Sequence, residues 1–208
     1  MSTGSRIPLA RAIKASKLVS ERLGLDKLGA VVVGSVRRMR QDVGDLDLLA
    51  PASPKKSDPV YDAIMPFCDN VAQPMFAADS PKFIRAVEGF KPGFLACKLL
   101  CNLRIFEHED STPVPLNVFR HTPENAGWAM LMRTGPDEFG KWFLYRWKLA
   151  YGIPEDHPAS RDGHLIDANG VIVPVATEAE CFKLARVDEI APSWRDNYIA
   201  GVKNWSDT

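Results

Sequence analysis

Long apolar runs are missing from this chain. No stretch of its 208 residues is long and apolar enough to span a bilayer, which argues against a membrane-spanning helical protein. A charge excess is missing too. Lys plus Arg and Asp plus Glu each number 26, for a formal net charge of zero. A domain that grips nucleic acid over a broad surface is usually more basic, so neutrality favours weak or local contact with such a partner. Cysteine is scarce. Cys68, Cys97, Cys101 and Cys181 show no Cys-x-x-Cys spacing and no nearby His pairing, which argues against zinc. Buried free thiols of a cytosolic protein are the better reading. The four histidines are scattered and gain no role. No secretory signal is legible from Met1 to Arg6, and neither internal repeats nor low-complexity segments are seen. The length suits one or two small domains with a sizeable core.

What is present centres on Val31 to Leu49. The β-branched run Val31 to Val33 breaks into Gly34-Ser35, followed by Arg37-Arg38, Gly44, Asp45-Leu-Asp47 and a second apolar run. This predicts strand, tight turn, short helix, second strand. The strand period of two puts Asp45 and Asp47 on one face. Two carboxylates on one face repel unless a cation sits between them, and Mg²⁺ prefers oxygen ligands of that kind. Gly34-Ser35 offers amides and a hydroxyl at a helix start, where anions bind well. Arg37 and Arg38 extend the donor set. One end suits phosphate and the other a metal that bridges it, which together make a nucleoside triphosphate site. The plainer alternative is a β-hairpin with two solvated aspartates and a surface arginine pair.

The remaining pattern reads in order. Pro8 opens a helix in its first turn, Ala12, Ala15, Val19 and Leu23 line one face, and Gly24 closes it. Leu28 to Val33 is the first expected strand. Pro51 to Pro59 is a polar loop, and Asp58-Pro59 starts a helix with Val60, Ile64 and Phe67 on its apolar face. Short β-like runs follow near 71–76, 82–87 and 94–103, with a polar hairpin tip at 107–111. Val114 to Phe119 is another strand, with Pro115 marking an edge or an irregular start. Thr122 caps a helix with Pro123 at its first position, running through Trp128, Leu131 and Met132 to a break at Thr134-Gly135. A further helix sets Phe139, Phe143, Trp147 and Ala150 on one face. His164 to Asp167 and Val171 to Val173 form a hairpin about Asn169-Gly170. Thr177-Glu-Ala-Glu180 is a capping box opening the last helix. Trp142 and Trp147 fit core positions at helical spacing better than base-stacking ones. Arg133, Arg146 and Lys148 are phosphate candidates, as are Lys82, Arg85, Lys91 and Lys98, although ordinary solvated charge explains the last four equally well.

Gly34-Ser35-x-Arg37-Arg38 followed by Gly44-Asp45-x-Asp47 resembles the signature of the DNA polymerase beta (family X) nucleotidyltransferases. Val114 to Phe119, Pro123-Glu-Asn-x-Gly127, Arg133-Thr-Gly135 and Phe139 resemble that family's later palm and early thumb. The hairpin, Ala176 to Glu180, Pro192 and Trp194-Arg195 resemble its C-terminal thumb. The likeness covers about residues 8–197. It implies an α+β fold: a palm of mixed sheet with flanking helices over residues 1–134, then a small, mostly helical thumb with a β-hairpin over 135–208. The family's lyase and fingers domains have no counterpart ahead of a first palm strand near residue 28. That leaves a minimal palm-and-thumb layout, as in small virus-encoded members.

By this resemblance Gly34, Ser35 and Arg38, with Arg37 and Gly44 close by, hold the triphosphate. Asp45 and Asp47 bind two Mg²⁺ or Mn²⁺ ions, and position 117 is the third metal-ligating and catalytic site. Thr134-Gly135 packs under the incoming sugar. Asp137 and Lys141 approach the incoming base and its template, with Arg133 also toward DNA. The implied partners are a deoxynucleoside triphosphate and a gapped or 3′-ended DNA, with no membrane. The implied protein is a monomer, cytoplasmic or wherever its DNA lies. The implied reaction adds a deoxynucleotide to a 3′-end and releases pyrophosphate.

Three departures stand out. The third catalytic carboxylate falls on Asn117, whose amide oxygen is an uncharged, weak ligand and a far poorer base. This leaves open a slow or non-catalytic protein, an engineered Asp→Asn change, or substitution by Glu107, Glu109 or Asp110. Met132-Arg133 replaces an aromatic pair that screens the sugar 2′-position. Gly140 and Leu144 replace polar residues that read the minor groove. The competing readings are a non-catalytic nucleotide or DNA-end binding module, and a nucleotidyltransferase acting on a protein or small molecule.

Overall fold

The amphipathic period between Pro8 and Leu23 becomes helix α1 (Leu9–Arg22), entered from the two-residue strand β1 (Ile7–Pro8). The computed structural model of the protein describes residues 6–52, 59–64, 68–69, 84–86, 97–101 and 114–202. Pro8 sits at the cap with extended backbone rather than inside the first turn. Ala12, Ala15, Val19 and Leu23 are buried as the spacing predicts, and Gly24 leaves the helix at φ +66°. The expected strand from Leu28 is shorter. Residues 25–30 wind back on themselves, with Leu28 N–H donating to Leu25 O and Ala30 N–H to the same oxygen. Leu25 is fully buried by that turn. Strand β2 is therefore only Val31–Val32.

Contacts divide the chain into two compact units: Met1–Val36 with Arg40–Arg120, and Arg37–Met39 with His121–Thr208. The first continues through α2 (Gly34–Arg37), β3 (Asp42–Val43), β4 (Leu46–Pro51), α3 (Pro59–Ile64), β5 (Cys68–Asp69), β6 (Ile84–Ala86), β7 (Cys97–Cys101) and β8 (Val114–His121), with Arg37 and His121 at the ends of α2 and β8 counting with the second unit. Six strands form a sheet in the order β2-β4-β8-β7-β6-β5, while β1 pairs with β3. Pairs β2–β4, β8–β7 and β7–β6 are antiparallel and β5–β6 parallel, so the sheet is mixed. Its core is aliphatic: Val19, Leu25, Leu46, Leu48, Leu116 and Val118 are among its buried members. Pro115 is not on an edge strand, since β4 and β7 flank β8; it is the second residue of the strand, in register with Leu100. The runs expected at 71–76 and 107–111 lie outside the described residues.

The second unit holds α4 (Ala126–Thr134), entered through a 3₁₀ turn (Pro123–Asn125), then α5 (Asp137–Tyr151), β9 (Ser160–Arg161), β10 (His164–Leu165), α6 (Glu178–Leu184), a 3₁₀ turn (Pro192–Trp194) and α7 (Arg195–Gly201). Its core is aromatic. Trp128, Phe139, Trp142, Phe143, Trp147 and Phe182 are buried, with Phe143 edge-on to Phe182 at 5.8 Å. Trp147 also satisfies its indole N–H on Ile166 O at 2.8 Å. Trp142 and Trp147 are thus core residues, as their spacing predicts. The expected boundary after residue 134 differs from the division by contacts, because Trp128 and Leu131 of α4 pack in this aromatic cluster. Gly127 has a packing reason: a Cβ there would stand 2.1 Å from Thr177 O.

Both capping boxes are formed, Thr122 with Asn125 and Thr177 with Glu180. The Asn169-Gly170 turn closes a hairpin through an Ile166–Ile172 bridge. A second hairpin precedes it, β9 against β10, across Asp162-Gly163 with both φ values positive. That Asp-Gly pair is a strong hairpin signal and adds a turn to the one expected at Asn169-Gly170. Among the described cysteines with placed side chains, Cys181 is buried and unpaired, and burial pushes its thiol up to about 12. The protein is thus mixed α and β, compatible with α+β, and among the described residues no helix is long and apolar enough to cross a membrane.

Candidate active site

Alternation along β4 fixes where its acids point. Leu46 and Leu48 are fully buried, so Asp45 and Asp47 face the other side and are only half-buried. The neighbouring strand β8 repeats the device. Leu116 and Val118 enter the core, and Asn117 between them turns to the acids' side. The Asn117 amide nitrogen donates to Asp45 Oδ2 at 3.2 Å and to Asp47 Oδ1 at 2.7 Å. One nitrogen thus ties two carboxylates, Asp47 on the adjacent strand and Asp45 just ahead of it. Gly34 closes the cluster from the β2–α2 turn. It lies at φ +66°, and a Cβ there would come within 2.0 Å of Asp47 Oδ2. Only glycine fits, on both backbone and steric grounds. Val33 N–H donates to Asp47 O at 2.9 Å, fixing that turn to β4. Ser35 is half-buried in the turn, and Gly44 is half-buried just ahead of Asp45.

The structure therefore brings Gly34, Asp45, Asp47 and Asn117 together. Two carboxylates and an amide converge, and an amide carries an oxygen that can serve a hard cation. Among the described residues no three of His, Cys, Asp or Glu gather as a metal-holding group, and here the third member is the amide. The donor set fits a divalent cation held chiefly by Asp45 and Asp47, with Asn117 as a neutral third ligand once its oxygen turns inward. Glu107, Glu109 and Asp110 lie outside the described residues.

Arg37 and Arg38 count with the second unit, and their guanidiniums are engaged there. Arg37 donates to Thr134 Oγ1 at 2.7 Å and to Glu178 Oε2 at 2.5 Å. Arg38 donates to Thr134 O, to Gly135 O at 2.7 Å, and to Asp196 Oδ2 at 3.0 Å. Glu178 takes a second guanidinium, Arg195, at 3.0 Å on its other oxygen. Arg195 is 1% exposed, lies over the Phe139 ring at 4.9 Å, and also donates to Ile190 O. Burial draws its pKa down, and Glu178 opposes that shift. Glu178, Asp196 and the pairing role of Arg195 escaped the sequence reading. The signal was Glu178 inside a capping box whose other acid, Glu180, explained the motif by itself.

Of the other expected residues, Thr134 and Gly135 are buried at the end of α4, held by the two arginines. Asp137 and Lys141 are exposed on α5, four residues apart, and Arg133 is half-buried on α4. Gly140, expected in a groove-reading position, packs on Met132: a Cβ there would meet its sulfur at 2.8 Å. The chain matches no protein-family model and no curated protein sequence.

Proposed function

We propose that the protein is a metal-dependent DNA nucleotidyltransferase of the DNA polymerase X type, adding a deoxynucleotide to a DNA 3′-end with release of pyrophosphate. The observation that carries the reading is the meeting of Asp45, Asp47 and Asn117, from β8 and from the start of β4, against Gly34. Mg²⁺ or Mn²⁺, two ions in the family pattern, would be held by Asp45 and Asp47 with Asn117 third. Such ions supply charge neutralisation for the attacking and leaving oxygens of an in-line transfer. The chain's own part is positioning. Gly34 lets the turn approach Asp47, and Ser35 adds a hydroxyl and an amide beside it for a triphosphate. Arg37 and Arg38 hold Thr134-Gly135, the turn that the resemblance sets under the incoming sugar. The roles of Gly44, Asp137, Lys141 and Arg133 toward nucleotide and DNA rest on the resemblance alone, as does the palm-and-thumb assignment.

A second reading is favoured by one observation: the third position is an amide. Asn117 accepts a proton from a 3′-hydroxyl poorly and adds no negative charge for a second ion, so the protein would hold a nucleotide or DNA end without turning it over. Primer extension on gapped and single-stranded DNA with Mg²⁺ or Mn²⁺, at saturating nucleotide, separates the two. Removing a positioned base costs about 10²–10⁴-fold in rate. The protein should extend slowly, and Asn117→Asp should gain about two orders of magnitude or more. No extension by either form on any 3′-end defeats the polymerase reading.

A further inference from the structure

We propose a separate nucleotide-binding cavity in the second unit, built by α5, α7 and the turn after α6 and shaped for a nucleoside monophosphate group. The cavity measures about 420 Å³ and is lined by Trp142, Arg146, Arg186, Asp188, Ile190 and Tyr198 among others. That volume falls in the range of small-ligand sites. Arg146 follows Trp142 by one helical turn, so both face the same space. Its Nε is buried and has no hydrogen-bond partner among the described residues. Arg186 is presented from the turn closing α6, at φ +57°, with its N–H anchored on Lys183 O at 3.1 Å. Two guanidiniums stand against one carboxylate, Asp188, so the lining is net cationic.

The lining divides by chemistry. The arginines suit an anion with several acceptor oxygens, such as a phosphate. Tyr198 is 37% exposed, and its ring is braced edge-on by Trp142 at 5.0 Å, which gives a flat group something to lie against. Ile190 adds apolar wall. Asp188 accepts from an amino or imino N–H. Inorganic phosphate would use the arginines and leave the ring and Asp188 unmatched. A nucleoside monophosphate meets all three: phosphate on the arginines, base against Tyr198, base N–H to Asp188. The same group occurs free or as an unpaired nucleotide of a strand. The inference does not use Asp45, Asp47 or a metal.

Calorimetric titration in excess EDTA tests it apart from the carboxylate cluster. The ligands are deoxycytidine 5′-monophosphate, a 5′-phosphorylated single-stranded hexanucleotide and inorganic phosphate. The protein should bind the first two more tightly than inorganic phosphate. A hexanucleotide bound several-fold more tightly than the monophosphate identifies a strand as the source, and equal affinity identifies the free nucleotide. Arg186→Glu, at an exposed position, should weaken binding about tenfold or more, the scale of one lost charged hydrogen bond. Arg146→Lys should weaken it too, and Asp45→Ala should leave it unchanged. As a second readout, the indole N–H resonance of Trp142, assigned by its loss in Trp142→Phe, should shift on adding the monophosphate. Absence of binding at millimolar ligand, equal affinity for inorganic phosphate, or Arg186→Glu binding like the parent overturns the proposal.

Discussion

The two units handle charge in opposite ways. In the helical unit one carboxylate, Glu178, is divided between two guanidiniums, each oxygen committed at 2.5–3.0 Å, and Arg195 is sealed among aromatic rings. In the sheet unit one neutral amide is divided between two carboxylates that remain half-buried. The first arrangement is closed: opposite charges meet and little of the pair faces water. The second gathers two acids about one amide nitrogen. Two carboxylates and an amide oxygen on one face are the donor set that the proposed cation would need. The comparison makes the Glu178 network architecture and leaves the sheet unit's acids as the place where the proposed cation would bind.

The closed cluster should break hardest. Glu178→Ala leaves Arg195 buried without its carboxylate and should cost about 3–5 kcal/mol. Thermal unfolding should register this as a Tm lower by roughly 10 °C. Replacing both partners by apolar residues, Glu178→Leu with Arg195→Met, should recover much of the loss. If the single change leaves Tm unmoved, the network is ornamental and the contrast between the units collapses. Gly34→Ala probes the other cluster. Its Cβ would collide with Asp47 and force a left-handed backbone, for about 1–3 kcal/mol of strain. Binding of a triphosphate should weaken as well, since Asp47 must move. A smaller effect is due at the mouth of α6. Thr177→Ala removes the side-chain acceptor of Glu180 N–H and should cost about 1 kcal/mol, leaving nucleotide binding at Asp45 and Asp47 untouched.

Legibility followed the range of the determinants. Period-two alternation is enough to put Asp45 and Asp47 on one face, because the pleat enforces it, whereas the place of Asn117 beside them is legible only through the resemblance. Both Thr caps and the break at Thr134-Gly135 were equally local, and so was the burial of Trp142 and Trp147. What escaped was either turn geometry or long-range. Asp162-Gly163 makes a turn of its own ahead of the expected one at Asn169-Gly170, and the strand expected from Leu28 begins only at Val31 because Leu25 O accepts from Leu28 N–H and Ala30 N–H in a turn. The partnership of Arg37 with Glu178 joins residues 141 positions apart, and no spacing rule announces it. The Arg37-Arg38 pair was legible as chemistry, but its acceptors in this fold were not.

The central claim is that Asp45 and Asp47 hold the cation through which a triphosphate binds. Calorimetric titration with a deoxynucleoside triphosphate, with and without Mg²⁺, measures it directly on the protein and on Asp45→Ala and Asp47→Ala. The account predicts Mg²⁺-dependent binding that either substitution abolishes, while thermal unfolding shows both variants folded. Affinity unchanged in both variants, or equal with and without Mg²⁺, would contradict it.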